Sequence, residues 1–305
     1  MITALAGGVG AARFLTGMLK LVKEQELSVI VNTGDDIDMF GLHISPDVDI
    51  VAYTLAGIVD DEKGWGIRGD TFQCLDMLKK FGLETWFALG DRDIATHLFR
   101  TELLKKGFTL SQVTDEICRS LGLKVKIMPM TNEKFETRIK VEDKSIHFEE
   151  YFVKRAAKDT VLGVEFVGAA NAKPSPEVIC SIMDSEVVVI CPSNPVVSIG
   201  TILSVNGIRD ALRKTSARVV GVSPIVAGVP IKGPADKLLG GLGFEVSAFS
   251  VAKLYSDFLD TFVIDNIDVA EKSRIENLGI RVKITNTIMK SLEDKVGLAK
   301  TVLED

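Results

Sequence analysis

The sequence offers little that could hold a fold together covalently or through a structural metal. Its four cysteines, Cys74, Cys118, Cys180 and Cys191, form no CxxC and no paired spacing. That excludes a disulfide framework and a zinc ribbon, and reads as buried free thiols in a reducing cytoplasm. The three histidines lack metal-ligand spacing and no GxSxG occurs, so nothing points to zinc chemistry or acyl transfer. No apolar run reaches the ~18 residues of a membrane span. The start, MITALAGGVG, carries no basic region of a signal peptide. Positive charge is not in excess either. The net charge is -6, which argues against a nucleic-acid footprint or an anionic membrane surface. A cytoplasmic protein is therefore expected, and a locally basic pocket for a small anion stays open. No repeat, low-complexity tract or Pro/Ser-rich linker divides the chain. What is present is 305 residues, 46% of them apolar, enough for a substantial core.

The chain opens with a short apolar strand at 2–5, a glycine turn at 7–10 and the amphipathic stretch AARFLTGMLKLVKEQ. A second strand follows at 27–32. This strand–loop–helix–strand unit implies a parallel sheet with a right-handed crossover. Helical patterns recur at 48–60, 70–81, 92–106, 110–121, 174–184, 205–214, 250–258 and 288–303, with Ser111 a candidate N-cap. Strands are expected at 86–89, in KVKIMPM, at 164–167, and in VVVICP, ARVVGV, TFVIDN and RVKITNT. FETRIKVEDKSIHFEEYFV, at 135–153, reads as a β-hairpin breaking at 142–145. The expected architecture is α/β: one Rossmann-like, doubly wound domain over 1–305 with a mostly parallel sheet. A helical and β-hairpin insertion is expected within it across 90–170.

LAGGVGAARF places Gly7, Gly8 and Gly10 between a strand and a helix. Glycines let backbone approach a phosphate, and a helix N-terminus offers free N–H groups. The order is neither GxGxxG nor a Walker loop. Its place at the first βα junction favours phosphate contact over a plain tight turn. Arg13, on the first helical turn, either reaches an anion or is solvated.

VNTGDDIDMFGLHISPDVD crowds Asp35, Asp36, Asp38, Asp47 and Asp49 behind the second strand. Unpaired, these would repel one another. Loops at the carboxyl ends of parallel strands face the ligand crevice, so this loop and the glycine loop should lie side by side. Mg²⁺ takes carboxylate and shared phosphate oxygens, which suits acidic residues beside a phosphate loop. Asp47 or Asp49 can also start the helix that follows, and Asp35 or Asp36 can be a turn residue. His43 sits between the two acidic groups.

Later strand ends add LGDRD, CPSNPVVSIG and VSPIVAGVPIKGPADKLL. The first reads as a helix start with an acidic first turn. Ser193 and Asn194 supply small polar groups, and Lys232 is the best charge for a diphosphate. Either lysine there, Lys232 or Lys237, can also be an ordinary solvated one.

Together, AGGVGAARF, NTGDD followed by HISPDVD, LGDRD, PSNPVVSI and SPIVAGVPIKGPADK resemble the 2-phospho-L-lactate transferase family, in order across residues 6 to 239. The resemblance implies a Rossmann-like enzyme of coenzyme F420 biosynthesis. It implies transfer of 2-phospho-L-lactate from lactyl-diphospho-guanosine, or an enolpyruvyl variant, to the ribityl hydroxyl of the deazariboflavin Fo. GMP leaves, Mg²⁺ is required, and a homodimer is expected. Asp35, Asp36 and Asp49 are the expected catalytic and metal residues. Gly8, Gly10, Ser193, Asn194 and Lys232 would hold the guanosine diphosphate. Asn32, Thr33, His43 and Trp65 would lie nearer the deazaflavin. The alternative is a non-enzymatic UDP-sugar-binding regulator on the same scaffold. Such regulators carry a DDGGS-like stretch where this chain has DDIDMFG, which favours the transferase.

Overall fold

The segments ITALA and LSVIV form β1 (Ile2–Ala6) and β2 (Leu27–Val31), which are buried on both faces apart from Ile2. Continuous apolar strands of this kind belong at the centre of a parallel sheet covered on both sides. Between them runs α1 (Gly8–Met18), which buries Ala11, Ala12, Phe14, Leu15 and Met18. The computed structural model describes residues 1–142 and 144–304.

After β2 come the short hairpin β3 (Ile37–Met39) and β4 (Leu42–Ile44), then α2 (Pro46–Leu55), α3 (Gln73–Lys80), α4 (Asp91–Lys105), α5 (Leu110–Ser120) and β5 (Lys126–Pro129). Next are β6 (Glu136–Val141), β7 (Lys144–His147), β8 (Gly163–Val167), α6 (Val178–Met183) and β9 (Val187–Ile190). The remainder is α7 (Ile199–Ser204), α8 (Ile208–Lys214), β10 (Arg218–Val222), the ribbon β11 (Ile225–Val226) and β12 (Val229–Pro230), α9 (Ala235–Gly241), α10 (Ala248–Leu254), β13 (Thr261–Asp265), α11 (Lys272–Glu276), β14 (Arg281–Thr285) and α12 (Leu292–Leu303).

The main sheet has seven strands in the order β14-β13-β10-β9-β1-β2-β5. Every pairing in it is parallel. Ile2 sits in register with Leu27 on one side and Val187 on the other. Successive side chains point to opposite faces. Leu5, Ile30 and Ile190 enter one core layer, whereas Ala4, Val29 and Val189 enter the other, beneath α1, α2 and α12. This is the doubly wound α/β fold expected from the sequence.

Three local expectations are corrected. Residues 86–89 form no strand: Trp86 and Phe87 instead turn into a cavity. The N-cap of α5 is Thr109, not Ser111, and it forms a capping box with Gln112. Cys74 and Cys180 are exposed, and only Cys118 and Cys191 are buried. The stretch 90–170 contains β5, a strand of the main sheet. Its helices therefore belong to the β2-to-β5 crossover and its hairpin to the next one. There β8 adds antiparallel to β6, giving a three-stranded sheet in the order β7-β6-β8. In the expected hairpin break, Asp143 lies outside the described residues.

Candidate active site

The chain reverses direction across the sheet at β1, which has β2 on one side and β9 on the other. Open parallel sheets bind ligands at the carboxyl end of such a switch point. The loops there touch. The amide of Gly7 donates to Ser193 Oγ at 3.2 Å, and a Cβ on Gly10 would lie 2.5 Å from the Pro192 carbonyl oxygen. A cavity of about 540 Å³ opens over this junction. Gly8, Gly10, Asp35, Asp49, Trp65, Ser193, Asn194 and Lys232, all anticipated from the sequence, line it.

One end of the cavity is rich in donors. Asn194 Oδ1 is held by the amides of Val196 and Val197 at 3.0 and 3.2 Å, and its buried Nδ2 has no partner in the protein. The Lys232 ammonium packs against Gly64, and burial, then the charge of Arg13, lowers its pKa. The glycine loop is used differently from expectation. The Gly8 amide donates to the Asp47 carboxylate, and Gly7 is spent on Ser193. The first-turn amides of Val9 and Gly10, which no intrahelical carbonyl serves, remain at the cavity wall.

The acidic cluster in the cavity is Asp35, Asp47 and Glu149, all buried and all lining it. Asn32 Nδ2 donates to Asp47 Oδ2 at 2.9 Å, and Asn32 Oδ1 accepts from the Gly34 amide. Burial is the main cause of the raised pKa of Asp47, pushed up to about 7. Glu149 is pushed up to about 8 by burial and then by the charges of Asp47 and Asp36. Asp35 is raised well above the usual carboxylate range by burial, then by Asp47 and Glu149. Asp35 Oδ1 is buried without a hydrogen-bond partner. An all-oxygen, mutually repelling set with a free buried oxygen fits a hard divalent cation such as Mg²⁺.

Asp36, Asn32, Thr33 and His43 are not among the lining residues. Asp36 accepts from Ser45 Oγ at 2.8 Å and meets His43 Nε2 at 3.1 Å, while His43 Nδ1 meets Asp38 at 2.9 Å. These contacts tie the aspartate loop to the β3–β4 hairpin. His43 therefore braces the loop. Asn32 acts one step back, by orienting Asp47.

Asp49 sits in the first turn of α2, 5% exposed, and receives both terminal nitrogens of the fully buried Arg100. His97 lies beside them, with Nδ1 3.2 Å from Arg100 Nη1 and Nε2 3.3 Å from Asp93 Oδ1. Tyr53 donates to the same Asp93 oxygen at 2.9 Å. Asp49, Asp93 and His97 each bring a ligand atom within 4.8 Å of the others, but the guanidinium already supplies positive charge there.

Another stretch of wall is aromatic: Trp86, Phe87, Phe148 and Phe152, with Trp65 at 39% exposure. Phe148 and Phe152 stack with centroids 5.6 Å apart. Lys154 ties this segment to the 83–90 loop, through Glu84 at 2.6 Å and the Trp86 ring at 5.9 Å.

Residues 2–291 match the family described as 2-phospho-L-lactate transferase CofD. The chain belongs to the 2-phospho-L-lactate transferase family. It is 42% identical to the 2-phospho-L-lactate transferase of Methanocaldococcus jannaschii, covering 100% of this chain and 97% of that one. It is 43% identical to the phosphoenolpyruvate transferase of Streptomyces griseus, covering 99% and 97%. A UPF0052-family protein of Bacillus halodurans shares the fold, with TM-score 0.65 and 16% identity over 99% of this chain and 98% of that one. As a family member the chain is a transferase. Sequence reasoning about this transferase missed Asp47, Glu149, Arg100 and His97 as site residues. Asp93, His97 and Arg100 recur at i, i+4 and i+7, one face of a helix, and that signal was readable. Glu149 had none, because it follows the β6–β7 hairpin, whose place over the cavity is set by the tertiary fold.

Proposed function

We propose that the enzyme transfers a 2-phospholactyl or phosphoenolpyruvyl group from a guanosine diphosphate donor to the ribityl hydroxyl of Fo, releasing GMP in coenzyme F420 biosynthesis. One observation carries this reading. A donor-rich end with Asn194 and Lys232, the carboxylate cluster of Asp35, Asp47 and Glu149, and an aromatic wall share one cavity. A nucleoside diphosphate suits the first, a planar deazaflavin the last.

Asn194 Nδ2, Ser193 and Lys232 hold the donor, with the amides of Val9 and Gly10 facing its phosphates. Asp35 and Asp47 would hold Mg²⁺, which neutralises diphosphate charge when bound. Trp86, Phe148 and Phe152 seat the deazaflavin. Asp49 accepts a hydrogen bond from the attacking hydroxyl and fixes its direction. The hydroxyl oxygen forms a bond to the phosphorus that bears the lactyl or enolpyruvyl group. The bond from that phosphorus to the GMP oxygen breaks, and the hydroxyl proton passes to Asp49, the carboxylate that already accepts its hydrogen bond. Alignment and charge neutralisation do most of this work, because phosphoryl transfer needs little covalent help.

Relatives of both donor names stand at 42% and 43% identity, so both donors belong in the assay. Protein, Fo, Mg²⁺ and each donor in turn should release GMP and form a phospholactyl or enolpyruvyl Fo. Folded protein that releases none contradicts the proposal. A UDP-sugar that raises the melting point while GDP and Fo do nothing would favour a nucleotide-sugar sensor instead. Exposed apolar side chains on and beside α3 and α4, including Phe81, Leu98 and Phe99, support a homodimer, which light scattering tests.

A further inference from the structure

At the cavity wall, α2 and α4 share a buried polar ring made by Asp49 and Tyr53 of one helix and Asp93, His97 and Arg100 of the other, of which all but Arg100 line the cavity. The spacing is i and i+4 on α2, and i, i+4 and i+7 on α4, so each set lies on one helical face. None of the five is more than a tenth exposed.

The donors and acceptors fix its internal order. A guanidinium only donates, so His97 Nδ1, 3.2 Å from Arg100 Nη1, accepts. His97 Nε2 lies 3.3 Å from Asp93 Oδ1. Tyr53 donates to that same oxygen. Burial and the charges of Asp49 and Asp93 raise the Tyr53 pKa, so it remains a donor. At the other side of the ring, both Arg100 terminal nitrogens engage both Asp49 oxygens, which fixes the plane of that carboxylate. The helix that carries the ring is itself anchored, because Asp70 accepts from the amides of Arg92 and Asp93 at its first turn.

We propose that Arg100 and His97 are positioning residues: they hold Asp49 in one plane at the cavity wall, so that its outward lone pairs meet the attacking hydroxyl. This rests on the assignment of Asp49 to the acceptor. It goes beyond that assignment, since Arg100 does not line the cavity and reaches it through Asp49. Arg100 also supplies from within the protein the positive charge that a cation would otherwise bring to Asp49, Asp93 and His97. A lysine cannot replace it, because a point charge does not set a plane. His97 selects the Arg100 orientation through Nδ1 alone.

The test measures GMP release, Fo binding by calorimetry and melting points on the full chain. Arg100→Lys should fold, melt within a few degrees of the wild type and keep its donor KM. Its kcat should fall roughly 10²-fold, as expected for a misplaced reacting group. His97→Asn, which puts an amide oxygen near the Nδ1 position, should retain most of the rate, and His97→Leu should not. Arg100→Gln leaves a buried carboxylate unpaired and risks misfolding. It is therefore made together with Asp49→Asn, which removes both charges. That double variant should fold and be no slower than Asp49→Asn alone, because the two residues act as a unit. Wild-type kcat in Arg100→Lys, a slower double variant, or equal rates in His97→Asn and His97→Leu each overturn the proposal. A wild-type protein that neither binds Fo nor releases GMP overturns the underlying assignment and the proposal with it.

Discussion

The amide of Gly7, at the end of β1, donates to Ser193 Oγ, just past the end of β9, at 3.2 Å. Two loops separated by most of the chain are thus pinned together where the sheet changes direction. Gly8, Asn194 and Asp49 then line a single cavity, although they come from three different strand ends.

Gly10 tests how tightly that junction is built. A Cβ there would sit 2.5 Å from the Pro192 carbonyl oxygen, a backbone atom that cannot step aside. Gly10→Ala should cost roughly 1–3 kcal/mol, at about 2–4 °C of melting point for each kcal/mol. Thermal denaturation reads this directly. An unchanged melting point would mean that the loops are not in contact.

The carboxylate cluster predicts an unusual dependence of stability on pH. Asp47 and Glu149 are raised from ordinary carboxylate values to about 7 and about 8. Between the unfolded and folded values the native state binds more protons than the unfolded state. Stability from these groups is therefore complete below their unfolded values of 3.8 and 4.5 and is lost progressively as pH rises from there through 7 to 8. Mg²⁺ should reverse the loss. At 100-fold over its Kd it contributes about 2.7 kcal/mol, seen as a higher melting point at pH 8 than without it and a smaller effect at pH 5. Melting curves at both pH values, with and without Mg²⁺, check this. A Mg²⁺ effect that is no larger at pH 8 would remove the cation from this cluster.

The two ends of the cavity should separate kinetically. Lys232→Ala and Asn194→Ala should raise the donor KM, with little change for Fo. Phe152→Ala and Trp86→Ala should raise the Fo KM about 3- to 10-fold, the range expected for losing one aromatic contact. Steady-state kinetics with each substrate varied in turn decides it. An effect on the donor KM from Phe152→Ala would show that the ends are assigned the wrong way round.

The order of strands and helices was legible because apolar runs alternate with amphipathic stretches, and a parallel sheet follows from that alternation. The loops at strand ends were legible as a ligand rim for the same reason. The roles inside the rim were less so. Asp47 and Asp49 stand two residues apart in one motif, yet Asn32 and Gly8 claim Asp47 whereas Arg100 claims Asp49. Only the packing of α4 on the β3–β4 hairpin and α2 brings Arg100 there. His43 read as a site residue from its acidic neighbours, but those neighbours are its structural partners. Residues 86–89 resembled a strand because aromatic residues favour strands, and here they serve the cavity wall instead.

The most direct test is a crystal structure of the protein with GDP and Fo bound together. The diphosphate should lie within hydrogen-bonding distance of Lys232 Nζ and Asn194 Nδ2, with the deazaflavin ring against Phe148, Phe152 and Trp86 and its ribityl hydroxyl at Asp49. GDP bound outside this cavity, or Fo lying away from Asp49, would contradict the account.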